Sequence, residues 1–420
     1  MTRDLKKAYR TMMDDPFPPR MEISFVFDDE RTTLIYEKVT WVVDGVRKGL
    51  RYGENPGQEA ALYRLINGHL MLGDVTTIAP GRYLVSDAEL LQAGKHPGKI
   101  NLTDADNALN ILGGLGRCLA DRPAAAIMKH NCPSGVAMAD TLAEAYVRAD
   151  LADHLAAFGG CVALNRPVDV ETAEAIAERY AEVVVAPVYD PGTIDVLSRR
   201  KNLRIMRVDN IERLTAFATE RFVDFKSLID GSIVAQLSFV PGLRGVEDLR
   251  PAEAVRDGEA YRVERGPTER EAEDMVFGWM VEAGVPSNSV LYVKDLVTVG
   301  IGTGEQDRVG AARIARDKAY RKMTDRLAYE RHGVIYDALE DETERQAIWE
   351  EVETRHGGLI GAAMVSDGFF PFRDGVDVGL REGVTAVIQP GGSLNDHQVI
   401  EACNEAGATM AFTGQRSFRH

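Results

Sequence analysis

Cysteine is scarce and scattered in this chain. The four cysteines, Cys118, Cys132, Cys161 and Cys403, form no Cys-x-x-Cys pair. Their spread argues against a disulfide framework or a cysteine-rich zinc site and fits a reducing compartment. No apolar stretch follows Met1-Thr2-Arg3-Asp4-Leu5-Lys6-Lys7, so no secretory signal is read. No uninterrupted apolar run approaches membrane-spanning length. The expectation is a cytoplasmic protein with no membrane partner. Positive charge is also short: 49 Lys and Arg stand against 65 Asp and Glu, a net charge of −16. That balance argues against a nucleic-acid partner, which needs a basic face. An anionic substrate would need Arg and Lys gathered locally within an acidic protein.

What is present is ordinary globular text with dense special segments. Hydrophobic content of 45% and charged content of 27% are typical of soluble domains, and 420 residues suffice for two or three of them. Residues 1–48 read as an adaptor: a polar helix, then strand text at residues 21–27 and 38–43, then a turn at Asp44-Gly45. Residues 49–240 alternate strands and helices. Examples are a strand at 162–164, a helix over 171–180 capped by Asp169, and a strand at 183–187. Residues 241–261 connect to a second alternating stretch, 262–420. Its strand at 289–293, helix at 308–319 and strand-loop-helix-strand text at 366–389 repeat the first stretch. A charged helical insert is expected near 324–356, with Glu340-Asp341-Glu342-Thr343-Glu344-Arg345 as a solvated face. The fold class is α/β, in two similar halves.

Six segments carry more chemistry than folding requires. The most informative is Lys129-His130-Asn131-Cys132-Pro133-Ser134-Gly135, which follows the buried strand text of residues 124–128. It delivers a cation and an imidazole where a strand ends. A histidine of ordinary pKa, about 6.5, is a base at neutral pH. Pro133 and Gly135 are expected to form a tight turn, and Thr141-x-x-Glu144 to cap a following helix. On its own, a Lys-His dipeptide is more often surface decoration. Arg51-Tyr52-Gly53-Glu54-Asn55-Pro56 suits oxyanion capture, since guanidinium binds carboxylate or phosphate bidentately. Ala157-Phe158-Gly159-Gly160 allows close backbone approach to a planar ligand, or simply tight packing. Ser287-Asn288-Ser289 sets an amide and two hydroxyls before an apolar strand.

Gly300-Ile301-Gly302-Thr303-Gly304 opens a helix at Arg308, where free N–H groups favour an anion. It lacks the Gly-Lys-Ser/Thr of a P-loop. Ser366-Asp367-Gly368-Phe369-Phe370-Pro371-Phe372-Arg373-Asp374 combines an aromatic wall with carboxylates, as a fused heterocycle needs. The chain closes with Gln389-Pro390-Gly391-Gly392-Ser393 and Gln415-Arg416-Ser417-Phe418-Arg419-His420. An Arg so near the end is usually solvated unless the terminus is tucked into a site.

These segments, in this order from about Leu50 to His420, resemble the AICAR transformylase domain of bifunctional purine-biosynthesis proteins. The resemblance implies a duplicated cytidine-deaminase-like, three-layer α/β/α fold. It implies formyl transfer from 10-formyltetrahydrofolate, a co-substrate, to the 5-amino group of AICAR ribotide, giving FAICAR and tetrahydrofolate. It also implies a homodimer with active sites at the subunit interface. Carried over by motif, Lys129, His130 and Asn288 would be catalytic. Arg51, Tyr52, Phe158, Gly159, Glu182, Lys201, Arg308 and Arg416 would surround AICAR. Phe369, Pro371, Phe372, Asp374, Gly391, Gly392 and Ser393 would face the folate. Ser287, Ser289 and Asp367 match positions that hold a monovalent cation, K+, in some relatives. The zinc signature of the deaminases, His-x-Glu with Pro-Cys-x-x-Cys, is missing, so no zinc is expected.

The chain also departs from the family pattern. About 48 residues of different text stand where an IMP cyclohydrolase domain is usual, so ring closure is expected from a separate partner. The common Asn-Pro-His-Gln reads Asn55-Pro56-Gly57-Gln58, and the loop after Lys129-His130 is altered. Two rival readings follow: a nucleotide sensor that binds AICAR without turnover, and a formyltransferase with a changed donor or acceptor. A thiol nucleophile at Cys132 is disfavoured, since direct formyl transfer needs none.

Overall fold

In the computed structural model, residues 15–55, 58–68, 70–72, 75–76, 83–119 and 121–420 are described. The expected N-terminal polar helix and the Pro56-Gly57 departure lie outside them. The chain divides into two compact units, residues 1–110 with 159–240, and residues 111–158 with 241–420. Each unit therefore draws on two separate stretches of sequence. Among the described residues, no helix is long and apolar enough to cross a membrane.

In chain order the elements that position the candidate site are β1 (Glu89–Gln92), α1 (Lys99–Cys118), β2 (Ala124–Lys129), β3 (Cys132–Met138) and α2 (Leu142–Ala152). There follow β4 (Cys161–Leu164), α3 (Val170–Ala177), β5 (Val183–Ala186), α4 (Thr193–Leu197) and β6 (Arg204–Arg207). The later stretch carries β7 (Arg250–Pro251), α5 (Glu269–Glu282), β8 (Val290–Lys294), β9 (Val297–Gly302), α6 (Arg308–His332) and α7 (Glu342–Thr354). It ends with β10 (Ala363–Ser366), α8 (Arg373–Leu380), β11 (Ala386–Gln389), α9 (Asp396–Glu405) and β12 (Thr409–Phe412).

The first unit holds strands in the order β4-β5-β6-β1. The first three are parallel and β1 closes the row antiparallel to β6. Val183, Val184, Val185 and Ala186 are all fully buried, as expected of a parallel strand covered on both faces. Asp169 caps α3 as its sequence suggests, its carboxylate accepting from the Thr172 N–H at 2.7 Å. The helix ends at Ala177, three residues short of the expected Tyr180. At the N-terminus a hairpin pairs Arg20–Phe27 with Glu30–Lys38. The strand text at 38–43 is split: Lys38 ends that hairpin, and Trp41–Val43 pairs with Val46–Lys48 around a turn at Asp44-Gly45 with both φ positive.

The second unit holds strands in the order β7-β12-β11-β10-β8-β9-β3-β2. β10, β11 and β12 are parallel, while β8-β9 and β3-β2 are antiparallel hairpins. Its core gathers Val290, Tyr292, Ala311, Ala312, Ala315, Met364, Phe370 and Val387. A satellite core of Met323, Leu327, Ala328, Ile348 and Val352 lies between the far half of α6 and α7. The charged insert thus begins inside α6, which runs on to His332 instead of stopping near 319. Glu340, Asp341, Glu342 and Thr343 are exposed, as their charge suggests.

Two glycine segments differ from their sequence reading. Gly300 and Gly302 belong to β9, not to an anion-binding loop. A Cβ at either would collide with the Ala315 or Ala311 carbonyl oxygen of α6. Gly135 does the same in β3 against Ala149 of α2. These glycines let a helix backbone sit directly on a strand. Only Gly304, with φ +69°, lies in the turn before α6.

The start of α5 carries a full capping box, Thr268 with Glu271. Arg265 also grips the Glu271 carboxylate bidentately, at 2.8 Å on each oxygen. Burial alone would raise this carboxyl. Hydrogen bonds from Arg265 and Thr268 together outweigh it and hold the group at about 2, against an ordinary 4.5. A depressed folded-state value stabilises above the unfolded value and is lost below it. Urea midpoints measured across this interval should therefore fall as pH drops from 4.5 towards 2. Glu271→Gln should start lower at neutral pH, and its gap from the parent should close over the same interval. A constant gap would show that Glu271 does not titrate this way.

Candidate functional site

The Lys129-His130 segment is a two-residue hairpin turn, not a strand leading to a helix. Lys129 and Cys132 pair across the β2–β3 ladder, and His130 and Asn131 between them have φ of 55° and 60°. Two positive φ values make the turn that matches the twist of a hairpin. His and Asn tolerate that region better than most residues. Pro133 and Gly135 lie inside β3, where the register shifts between them and leaves Ser134 bulged. Lys129 is drawn back, its Nζ donating to the Phe158 carbonyl at 2.8 Å. His130 is exposed at the tip. The α2 helix then starts at Thr141, whose hydroxyl accepts from the Glu144 N–H at 3.1 Å.

A second part of the same unit is built on a buried charge pair. Asp367, at the end of β10, is fully buried. Its Oδ1 accepts from Arg308 Nη2 at 2.8 Å and its Oδ2 from the Ser289 N–H at 3.1 Å. Arg308 Nη2 also donates to Asn288 Oδ1 at 2.9 Å, and Nη1 to the Phe369 carbonyl at 3.1 Å. The Asn288 amide donates in turn to the carbonyls of Glu305 and Gln306, at 3.1 and 3.0 Å. Both ends of Asn288 are thus held, so its orientation is fixed. Arg308 is the first residue of α6, which Asp307 caps.

The chain end is tucked into this part. Ser287 and Arg419 exchange hydrogen bonds: the Ser287 N–H donates to the Arg419 carbonyl at 2.9 Å, and the Arg419 N–H to Ser287 Oγ at 3.2 Å. The Ser417 N–H donates to the Asp367 carbonyl at 2.9 Å. Arg419 Nη2 reaches Asn131 Oδ1 at 3.4 Å. The tail thereby ties the Lys129-His130 turn to the Ser287-Asn288 loop. Arg416 lies over the rings of Phe369 and Phe418, 5.2 and 5.6 Å from their centroids.

The sequence reading missed Glu282, the last residue of α5. It is fully buried, accepts from Ser289 Oγ at 2.6 Å, and its Oε2 has no hydrogen-bond partner among the described residues. Burial, with the nearby Asp367 charge, pushes its carboxyl well above the usual range. The charge-rich text of α5 hides it, since nothing local marks which acid faces inward.

The aromatic segment divides. Phe370 is core, its N–H donating to Gln389 Oε1 at 3.1 Å. Phe372 is 57% exposed and Asp374 is exposed in the first turn of α8. The Pro371 carbonyl accepts from Asn395 Nδ2 at 2.8 Å, and the Asn395 N–H donates to Ser393 Oγ at 3.1 Å, next to the Gly391-Gly392 turn. That turn has positive φ at both glycines, and the Gly392 and Ser393 N–H groups bind Asp396 at 2.7 and 3.1 Å. Arg373 pairs with Asp377 and Glu405.

In the first unit, Arg51 is buried, stacks on the Tyr52 ring at 4.4 Å and donates to its hydroxyl at 2.7 Å. Glu182 accepts from Arg204 Nη1 and Asn101 Nδ2, both at 3.2 Å. Arg204 is almost wholly buried and also donates to the His96 carbonyl. Sequence reading missed Arg204 and His96, though an Arg beginning apolar strand text was a visible signal. Gly159, φ +74°, donates to the Tyr180 carbonyl at 2.7 Å. Lys201 is exposed in the turn before β6, and no described hydrogen bond or ion pair joins it to Arg51 or Glu182. Burial raises Cys132 to about 11, so the thiol stays protonated at neutral pH. Among the described residues no cluster of three His, Cys, Asp or Glu could hold a metal.

The family model described as "AICARFT/IMPCHase bienzyme" matches residues 21–318. A bifunctional purine biosynthesis protein PurH of Magnetococcus marinus is 36% identical over 381 residues, covering 89% of this chain and 59% of the relative. The PurH of Roseobacter denitrificans is 38% identical, covering 88% and 59%. That of Ruegeria sp. is 38% identical, covering 89% and 60%. The chain thus spans about three-fifths of the length of the curated relatives it matches. The match takes in the Lys129 turn, the Asn288 loop and the Arg308 helix start, and the chain belongs to the AICARFT/IMPCHase bienzyme family.

Proposed function

We propose that this protein is a folate-dependent formyltransferase of purine biosynthesis, moving the formyl group of 10-formyltetrahydrofolate to the 5-amino group of AICAR ribotide. The observation that carries this reading is the tie through Arg419 between an exposed His130 and an anchored Asn288. It links a base, a cation and a fixed amide in one unit.

The acceptor amine is a weak nucleophile, because its lone pair delocalises into the imidazole carboxamide. As its nitrogen attacks the formyl carbon, His130 takes the amine proton. Lys129 stabilises the oxyanion that develops on the formyl oxygen. The bond from that carbon to N10 then breaks, and N10 leaves with a proton supplied through Lys129. Asn288 and Arg308 orient the acceptor, and the motif resemblance, not their placement, adds Arg51, Tyr52, Glu182 and Lys201 as nucleotide contacts. The exposed Phe372 and Asp374, with the Gly391-Gly392-Ser393 turn, offer the folate an apolar face and polar groups.

A monovalent cation would be held by Ser287, Ser289 and Asp367. The orphaned Glu282 Oε2 beside Ser289 supports this, since a cation would satisfy it electrostatically. The fold reading is a duplicated cytidine-deaminase-like domain. It is supported by the order helix, hairpin, helix, then three strands separated by helices, which occurs from α1 to β6 and again from α5 to β12. A cytoplasmic homodimer completes the reading. The exposed apolar hairpin around Phe222, Leu228, Ile229, Ile233 and Phe239 supports self-association.

The test is a spectrophotometric assay with AICAR ribotide and 10-formyltetrahydrofolate. Tetrahydrofolate release that requires both substrates is the expected result. AICAR binding by calorimetry without release would instead favour a non-catalytic sensor.

A further inference from the structure

The second unit has a 460 Å³ cavity in which Arg148, Lys294, Arg326 and Arg355 face a single carboxylate, Asp295. This volume lies within the roughly 300–1,000 Å³ range of small-ligand sites. It is separate from the candidate formyl-transfer site. Strand β8 starts two residues after Asn288 and ends at Lys294, and five residues of strand span roughly 16 Å.

Arg148 and Lys294 are held but not neutralised. Arg148 donates to the carbonyls of Met138 and Asp295, and Lys294 Nζ to the Ile360 carbonyl at 2.9 Å. Carbonyls fix these side chains without cancelling their charge. Arg355 pairs with Glu351 at 2.9 Å through one nitrogen. Arg326 is half-buried and makes no hydrogen bond or ion pair among the described residues. Burial pulls its guanidinium below the usual range, Glu330 opposes this, and Arg355 adds to it. Val299 gives the cavity an apolar wall. Gathering like charges in a partly dry space is unfavourable unless an anion completes it.

We propose that this cavity binds a phosphate-bearing small molecule, with Arg326 and Lys294 as its principal contacts and Arg148 and Arg355 at its sides. Guanidinium groups suit phosphoryl oxygens because their fork of donors matches them bidentately. The proposal does not depend on formyl transfer.

Calorimetry with inorganic pyrophosphate as probe tests it, using the full chain. The expected result is saturable binding that Arg326→Met weakens by about ten- to a hundredfold, the loss of one or two charge-assisted hydrogen bonds. Lys294→Gln, at an exposed contact, should weaken it about tenfold and serves as the deciding variant if Arg326→Met does not fold. No saturation up to about 10 mM, or unchanged affinity in the folded cavity variants, would overturn the proposal. Unchanged affinity would mean that pyrophosphate binds elsewhere.

Discussion

Replacing His130 with alanine should lower kcat for the proposed formyl transfer by about 10²–10⁴-fold, the usual worth of a positioned general base. AICAR ribotide should still bind within about threefold of the parent affinity, because the change removes an interaction made only in the transition state. The structure makes this a clean experiment. His130 is exposed at the tip of the β2–β3 turn and no core packing depends on it. Lys129 keeps its own anchor on the Phe158 carbonyl. Single-turnover kinetics beside calorimetric binding would separate the two effects. Unchanged turnover would remove His130 from the mechanism, and equal losses in binding and turnover would make it a binding residue.

The second large effect is expected on stability. Arg308→Met leaves the Asp367 carboxylate fully buried beside Glu282 with no cation. Stranding one member of a buried pair typically costs about 3–5 kcal/mol. The variant should therefore show a much lower urea midpoint. The double change Arg308→Met with Asp367→Asn removes the stranded charge and should recover a large part of the loss. Asp367→Asn keeps one oxygen to accept from the Ser289 N–H, so backbone satisfaction is preserved. A single variant within about 0.5 kcal/mol of the parent would mean that the pair is better solvated than its burial implies.

Much of the architecture was legible in the sequence because its signals are local. Val183-Val184-Val185 reads as a two-sided buried strand, Asp169 and Thr141 read as caps, and all three are found. Strand and helix text within 157–187 and 366–389 was legible for the same reason. The β3 strand was not. Pro133 and Gly135 are turn residues by propensity, yet a bulge at Ser134 absorbs the proline, and the glycine is needed where α2 presses on the strand. Gly300 and Gly302 misled in the same way, because close packing and phosphate binding ask for the same residue. Lys129, His130, Asn288, Arg308 and Asp367 were identifiable from motifs. Glu282 was not, because burial of a charge is decided by residues far away in sequence, and Arg204 was passed over although an Arg at the head of apolar strand text could have marked it.

The β2–β3 turn has one further consequence. Both of its central residues occupy left-handed backbone, where Asn-Gly is the favoured pair and a histidine is tolerated at some energetic cost. A redesign that scores each position for stability alone would therefore rewrite His130-Asn131 as Asn-Gly. It would improve the hairpin and delete its imidazole in the same step. The least comfortable residue of this turn is the one to hold fixed in any stabilised version of the protein.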